Sequence, residues 1–413
     1  MTGAIWNLPG PSRFLGRAVR SLCEGKHLVL VVPDPVLQDG LLQELRRWIC
    51  REKALEGDLR TVKVGPDIHP RPQEALASAI GARSGSLKAL TLSRLLDFED
   101  APAAFLALEG LENGDPERNN EASRLLKVAG EHAQDQPPAY QIVAPVSPEF
   151  PVPQENVKLS TLFWQGVSRK ADIHYILETE LDSLGLTPGH SAWLRALCLG
   201  LAPGYPEVAH AILAQRPSTV QDVHDLLKKM ADGAEHITLP SGLLPALAKE
   251  RITPGVLPKD QQVRTWWRKG WVGWADGPTP RVAPVALAAA GAFDVIDHRI
   301  LQGQLEVLLP MVEQVRRDMI AWLTHRFGPE WIDTEIPGLD PDERRRVETE
   351  IGPLVHHVCR APNWKLRKGV PHVLRKMGDC WVTIRNKLVH GDLVHLPDLE
   401  EGVVAIERFR RVG

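Results

Sequence analysis

Short, continuous apolar runs alternate with amphipathic segments over the first 170 residues, and this alternation constrains the fold more than any other feature. The clearest run is HLVLVV, from His27 to Val32. Three similar runs, LRTVKV, AAFLALE and YQIVAPV, follow at intervals filled by helix-like sequence. Strands buried on both faces have this apolar character, and helical crossovers between them produce a parallel sheet. Residues 1–170 therefore predict a parallel α/β domain, and the linker 149–166 is a candidate for an edge strand.

The remainder of the chain has helical spacing. The aromatic-rich stretch QVRTWWRKGWVGWADG, residues 262–277, predicts a helix followed by a turn. Asp340 and Pro341 are residue types that begin helices, and Gly391 is one that ends them. The predicted fold class is multidomain α/β plus all-α. It comprises an N-terminal parallel α/β sheet domain over 1–170, a small helical, winged-helix-like middle over 171–290, and a C-terminal helical bundle over 291–413.

The apolar stripes of the last third also predict which side chains form the bundle core. The segment from His298 to Phe327 reads as one long amphipathic helix, with a kink expected at Pro310. Ten side chains of this and the later helices are expected to be inside: Leu308, Val312, Val315, Met319, Leu354, Val358, Leu374, Met377, Ile384 and Leu388.

Composition limits the classes of protein that this chain can represent. The chain of 413 residues is 43% hydrophobic and 24% charged, with a formal net charge of −3. This balance is typical of globular proteins and gives no overall field for polyanions, so any nucleic-acid surface must be local. The five scattered cysteines do not suggest a disulfide framework. Without a secretory signal or an apolar run of about 18 residues, we expect a cytoplasmic protein with no membrane segment.

The first strand is not followed by a working phosphate-binding loop. A P-loop has the pattern G-x-x-x-x-G-K-[ST], in which backbone amides and the lysine hold phosphate and the hydroxyl holds magnesium. The corresponding junction, PDPVLQDGLL from Pro33 to Leu42, has one glycine, no lysine and two acids. ATP hydrolysis by this route is not expected. Glu109 ends the third strand and is interpreted as a solvent-facing acid, although a magnesium-site acid would occupy the same place.

The order of a sheet domain, a small helical region and WWRKGWVGWADG resembles signal-transduction ATPases of the STAND class. The resemblance is architectural and covers about residues 1–290. It implies a nucleotide domain followed by a helical lid and a winged-helix-like piece. Because the motif residues depart from the family pattern, the chain looks like a degenerate member.

The stretch IRNKLVHG, from Ile384 to Gly391, places three polar residues within an otherwise amphipathic helix. Asn386 and His390 are four positions apart and share a face. The negative end of the helix dipole favours an imidazolium at His390, by about 0.3–1 kcal/mol. A neighbouring guanidinium, here Arg385, can hold a phosphate through two hydrogen bonds. A phosphate holder beside a proton carrier is the minimum for metal-independent RNA cleavage.

Arg385-Asn386-Lys387-Leu388-Val389-His390 resembles the R-N-x-x-x-H motif of HEPN domains, which are small helical bundles. Many of them are ribonucleases of toxin and phage-defence systems, and their dimers pair two motifs in one active site. The resemblance implies that Arg385, Asn386 and His390 are catalytic. The structural alternative is that Arg385 pairs with an acid, Asn386 binds backbone and His390 caps the helix end.

Basic residues are concentrated around this motif. Between Arg360 and Asp392 there are eight basic residues and two acids. A local surplus of positive charge is what a phosphate-binding face needs. The residues predicted to bind RNA or phosphate are Lys365, Arg367, Lys368, Arg375, Lys376 and Lys387. The alternative is an ordinary solvated face, balanced by the acids of the segments ETEIGPL and DLEEG.

Neither a metal nor a cofactor is expected. The cluster His356, His357, Cys359 and Cys380 has no zinc-ligand spacing. The sequence therefore predicts a regulated, HEPN-type metal-independent ribonuclease effector of a phage-defence or toxin system. RNA, a protein partner and a second copy of the C-terminal bundle are its expected partners. The alternatives are a catalytically inactive STAND-like adaptor or regulatory subunit, and a nucleotide-sensing switch that binds without hydrolysis.

Overall fold

The computed structural model describes residues 4–81, 95–96, 105–111, 115–132, 140–232, 247, 255–275, 279–360 and 369–412. The chain divides into two compact units. Unit 1 comprises Met1–Asp172 with Pro240–Ala283, and unit 2 comprises Ile173–Leu239 with Pro284–Gly413. The predicted three-part division is finer than this and stays a prediction.

Unit 1 contains a five-stranded sheet in the order β2-β3-β4-β1-β5, and every strand pairing within it is parallel. The four predicted strand runs are all present, and the linker supplies the edge strand β5. Every residue of β1 is buried, as expected for an inner strand of a sheet covered on both faces. The strands are β1 (His27–Val31), β2 (Leu59–Lys63), β3 (Phe105–Glu109), β4 (Gln141–Val146) and β5 (Leu159–Phe163).

Helices cover both faces of this sheet. One core gathers side chains of α1, α2 and α3, and the other gathers side chains of α4 and α5. Gly40, which has a φ of +89°, separates α2 from α3. The helices are α1 (Pro9–Cys23), α2 (Asp34–Gln38), α3 (Leu41–Arg51), α4 (Pro72–Ala79) and α5 (Pro116–Glu131).

Four helices follow the sheet, and a later segment returns to unit 1. These helices are α6 (Lys170–Glu180), α7 (Pro188–Leu201), α8 (Pro206–Gln215) and α9 (Val220–Ala231). The aromatic-rich stretch forms the predicted helix, α10 (Gln261–Arg268), and the short strand β6 (Val272–Gly273). This strand pairs antiparallel with β7 (Arg281–Val282), which follows the stretch. Trp267 and Trp274 of this segment pack edge to face, with ring centroids 5.1 Å apart.

The described residues from Pro284 onward form helices and short connections, as predicted. All ten side chains expected inside are buried, and Asp340 accepts a hydrogen bond from the Glu343 N–H as the cap of α14. Pro310 lies within one continuous helix of 35 residues. The helices are α11 (Pro284–Ala289), α12 (Phe293–Phe327), α13 (Trp331–Glu335), α14 (Pro341–Thr349), α15 (Ile351–Val355), α16 (His372–His390) and α17 (Leu396–Val412), with a π-helical turn at His356–Arg360.

The long helix α12 packs directly against α7, which precedes it by about a hundred residues of chain. The two backbones meet at Gly200 and Gly303. A Cβ atom at Gly303 would lie 2.0 Å from the Ala196 carbonyl oxygen, and one at Gly200 would lie 2.2 Å from the Arg299 carbonyl oxygen. The helical core of unit 2 therefore includes α7 as well as the helices that follow residue 291.

Candidate functional site

The motif residues lie on the last turns of α16, whose other face is firmly held in the core. Ile384 and Leu388 are buried, as their four-residue spacing predicts. Trp381 is fully buried and donates an indole hydrogen bond of 3.0 Å to the Gly402 carbonyl on α17. This anchoring gives the outward-facing residues of α16 a rigid base.

The three motif side chains lie on the accessible side of this helix. Asn386 and His390 are exposed, and Arg385 is partly buried. The Arg385 guanidinium donates a hydrogen bond of 3.2 Å to Asn386 Oδ1 and lies 4.0 Å from a carboxylate oxygen of Glu350. The structure therefore brings Arg385 and Asn386 together, and it gives Arg385 one acidic neighbour that the sequence alone did not specify.

The C-terminal end of α16 is closed by backbone atoms. The Gly391 N–H donates to the Leu388 carbonyl at 3.3 Å, and the Asp392 N–H donates to the Lys387 carbonyl at 2.8 Å. These two bonds, with Gly391 at a φ of +82°, form a Schellman closure. Within the described part of the chain no hydrogen bond or ion pair is found for the His390 side chain. The helix end therefore does not use the imidazole as a cap.

The loop after the motif is fixed from a distant helix. Gln304 on α12 is fully buried, and its side-chain amide donates to the Val394 carbonyl at 2.7 Å and accepts from the Val394 N–H at 2.9 Å. A buried amide with both groups satisfied holds its partner in a single register. Gln304 was not singled out by the sequence, because its partner is 90 positions away and no local pattern marks such a bond.

The predicted phosphate-binding residues have different surroundings. Lys365, Arg367 and Lys368 lie outside the described residues. Lys387 pairs with Asp398 at 2.6 Å, and Lys376 pairs with Glu401 at 3.0 Å. Both acids belong to the DLEEG segment, whose negative charge the alternative interpretation expected to balance these basic residues.

Arg375 differs from these paired cations. Among the described residues no ion-pair partner of Arg375 is found, and its buried Nε has no hydrogen-bond partner. Arg360 pairs with Asp379 at 2.7 Å. Arg375 is therefore the predicted phosphate-binding residue on α16 whose charge is least compensated.

A second candidate site lies at the carboxyl edge of the sheet in unit 1. From β1 the chain crosses to β2 at one edge of the sheet, and from the neighbouring β4 it crosses to β5 at the opposite edge. Open α/β sheets bind ligands in the crevice that such a reversal creates. Here that edge carries an internal ion pair. Arg268 of α10 donates Nη1 to Glu149 Oε2 at 2.9 Å, and its Nε lies 3.9 Å from Asp34 Oδ2. Asp34 follows β1 and Glu149 follows β4.

This arrangement gives the departures from the P-loop pattern a structural counterpart. After β1 the chain continues through Pro33 into the short helix α2. The cation beside Asp34 is the guanidinium of Arg268, which comes from a segment more than two hundred residues later. Glu109 ends β3 and is partly buried. The sequence did not identify Arg268 or Glu149, because an ion pair between distant elements has no local signature.

A buried thiol lies near the motif helix. Burial raises the pKa of the Cys359 thiol to about 12, and the nearby Arg375 charge acts in the opposite direction. No group of three or more His, Cys, Asp or Glu side chains suited to a metal ion occurs among the described residues. In the same part of the chain, no helix combines the length and apolarity needed to cross a membrane.

Comparison with known proteins gave no relatives: no family model, no curated protein and no solved structure matches this chain.

Proposed function

We propose that the chain is a metal-independent, HEPN-type endoribonuclease, acting as a regulated effector in a phage-defence or toxin system. The observation that carries the proposal is the state of His390. The imidazole is exposed at the end of a rigid helix, on which Arg385 and Asn386 are in contact, while the helix end is closed by backbone bonds alone. An exposed imidazole that the helix end does not use is sterically available to act as a general acid or base.

In the proposed reaction the ribose 2′-hydroxyl attacks the adjacent phosphorus, and the bond from phosphorus to the 5′-oxygen breaks. The products are a 2′,3′-cyclic phosphate and a 5′-hydroxyl. Arg385 holds the non-bridging phosphate oxygens, and Asn386 orients the guanidinium through its side-chain oxygen. One proton must leave the attacking hydroxyl and another must reach the departing oxygen, which two imidazoles can accomplish together.

A second copy of the chain is the proposed source of the second imidazole. Val389 lies between Asn386 and His390 in sequence and is 55% exposed. An exposed valine beside the motif is suited to burial when two such helices face each other. The degenerate STAND-like region, about residues 1–290, is proposed to regulate this activity.

Two observations at the motif also fit the adaptor function. Glu350 lies 4.0 Å from Arg385 and partly compensates its charge, and Val389 would equally serve a contact with a different protein. In that case the motif is an assembly surface and RNA is not cut.

The deciding experiment compares wild type with His390→Ala on labelled total RNA, with and without cellular partners, in the presence of a metal chelator. The proposal expects cleavage by wild type, 2′,3′-cyclic phosphate ends, and a rate lowered by about 10²–10⁴ in the variant. Arg385→Ala should also lower the rate and weaken RNA binding.

His395→Ala is the matched control, since His395 is also exposed, lies in the loop after α16 and is outside the motif. It should cut RNA like wild type. Absence of cleavage by wild type with its partner and trigger supplied would refute the ribonuclease and leave the adaptor. Loss of assembly in Val389→Asp would then identify the adaptor surface.

A further inference from the structure

An open pocket of about 680 Å³ lies along α16, on the helix face that also carries Asn386 and His390. Its lining includes His372, Lys376, Asp379 and Thr383. These positions continue to Asn386 and His390 at intervals of three and four residues, so they share one side of the helix. Volumes of about 300–1,000 Å³ are typical of small-ligand pockets, and this one therefore has room for a nucleotide.

The charges of the pocket are almost completely paired. The three lining acids each have a basic partner: Asp379 pairs with Arg360, Asp398 with Lys387 and Glu401 with Lys376. Burial acts to raise the pKa of Asp398, but hydrogen bonds from Lys387 and the His395 N–H hold it below its usual value. Each lining acid is therefore already balanced by a basic partner.

Arg375 is the lining cation left over from this pairing. Within the described ranges no ion-pair partner of Arg375 is found, its Nε is buried without a hydrogen-bond acceptor, and its charge acts on the nearby Cys359 thiol. Arg375 is partly buried, and a guanidinium without an acidic partner can hold an oxyanion through charge-assisted hydrogen bonds. Cys380, which is partly exposed, and Thr383, which is exposed, also line the pocket, and the buried Ile384 and Cys359 lie behind them.

We propose that this pocket binds a nucleotide, with its phosphate on Arg375 and its base in the part of the pocket bordered by Cys380 and Thr383. Resting on the proposed function, the bound nucleotide belongs to the RNA strand that is cut at the motif. Arg375 and Arg385 are ten positions apart on α16, a rise of about 15 Å, which a few nucleotides of single strand span. The pocket thus holds the substrate at a distance from the scissile phosphate. A free nucleotide carries the same phosphate and base, and it is the alternative ligand for this pocket.

The test measures binding in the full-length His390→Ala chain, so that cleavage does not interfere. The probes are a short, fluorescent, single-stranded RNA of mixed sequence and, separately, ribonucleoside 5′-monophosphates. Arg375→Gln should weaken RNA binding about tenfold and reduce the magnitude of the salt slope by about 0.7 for the lost phosphate contact. Arg345→Gln, an exposed arginine on α14 outside the pocket, should change neither quantity.

A second variant tests the cavity without changing charge. Thr383 is exposed, and among the described residues its hydroxyl bonds within its own helix, to the Asp379 carbonyl. Thr383→Tyr should therefore fold normally, occupy the pocket and weaken binding as Arg375→Gln does. RNA binding and salt slope unchanged in both variants, with no effect on the monophosphates, would overturn the proposal. Loss of an acidic protein partner, without any effect on either nucleotide probe, would overturn it as well.

The two sources and the proposed function are distinguished by the same measurements. If Arg375→Gln affects only the monophosphates, the pocket binds free nucleotide and the strand is excluded as its source. If wild type cuts RNA while the pocket variants bind and cut normally, the pocket proposal fails and the ribonuclease stands. If the pocket binds RNA but wild type never cuts, the ribonuclease fails and the nucleotide site stands.

Discussion

Gly303 on α12 and Gly200 on α7 approach so closely that a Cβ at Gly303 would lie 2.8 Å from the Gly200 backbone nitrogen. Glycine is required there because the two helices touch through their backbones. Gly303→Ala should therefore separate them and lower the free energy of unfolding by about 1–3 kcal/mol. Gly352→Ala is the control, because a Cβ there meets open space within a helix, and this change should raise stability by about 0.5–1 kcal/mol. Denaturant unfolding of both variants measures the contrast, and equal effects would contradict the packing described.

The closure of α16 predicts which residues at its end matter for stability. His390→Ala should alter the free energy of unfolding by no more than about 0.5 kcal/mol, since the side chain caps nothing. Gly391→Ala should cost about 1–2 kcal/mol, because an L-residue is strained at a φ of +82°. Chemical denaturation can measure both values. A larger cost for His390→Ala than for Gly391→Ala would support a structural histidine instead.

Buried His27 predicts a dependence of unit 1 stability on pH. Its Nδ1 accepts the Ile142 N–H at 3.0 Å, and burial, with a contribution from the Lys158 and His132 charges, lowers its pKa from 6.5 to about 4. The unfolded chain therefore binds this proton first as pH falls. Above pH 6.5 the group has no effect, and between pH 6.5 and 4 its contribution should reduce stability by about 3 kcal/mol in total.

The measurement is the free energy of unfolding of wild type and His27→Asn across that pH range. Asparagine keeps a side-chain acceptor but does not titrate, so the variant should lose less stability on acidification. Parallel curves for the two proteins would show that His27 is not the titrating group.

A buried carboxylate joins the starts of two helices. Asp172 is fully buried and accepts the Gly10 N–H of α1 and the Arg169 N–H, each at 2.7 Å. Asp172→Ala leaves two backbone donors without acceptors and should cost about 2–4 kcal/mol. Asp182 is an exposed acid in the short 3-10 turn that follows α6. Asp182→Ala should change the free energy of unfolding by no more than about 0.5 kcal/mol. Thermal unfolding that shows no difference between the two variants would refute this role.

The internal ion pair at the carboxyl edge predicts how the chain responds to ATP. Since Pro33 to Leu42 lacks a phosphate-binding lysine and Arg268 is engaged by Glu149, we expect no magnesium-dependent ATP turnover and no stabilising thermal shift. Calorimetric or fluorescence melting with and without ATP and magnesium provides the measurement. A stabilisation of several degrees that disappears in Glu109→Gln would show a functioning nucleotide site.

The sequence predicted what depends on local periodicity. The strands of the sheet, the cap at Asp340, the end of α16 at Gly391 and the bundle core all follow from residue spacing over a few turns. The bond between Gln304 and Val394 and the pairing of Arg268 with Glu149 could not be predicted, because they depend on how distant elements meet. Gly303 carried a partial signal, since a glycine inside an amphipathic helix needs a packing reason.

The bond between Gln304 and Val394 has a consequence for the synthesis of the chain. Proteins emerge from the ribosome N-terminal end first, and the partners of this bond are separated by 90 positions. The loop behind His390 therefore gains its final register only after α16 itself has been translated and has docked on α12. Until then the newly made motif lacks the support that aligns it. Any function that depends on this alignment is therefore acquired only at the end of synthesis.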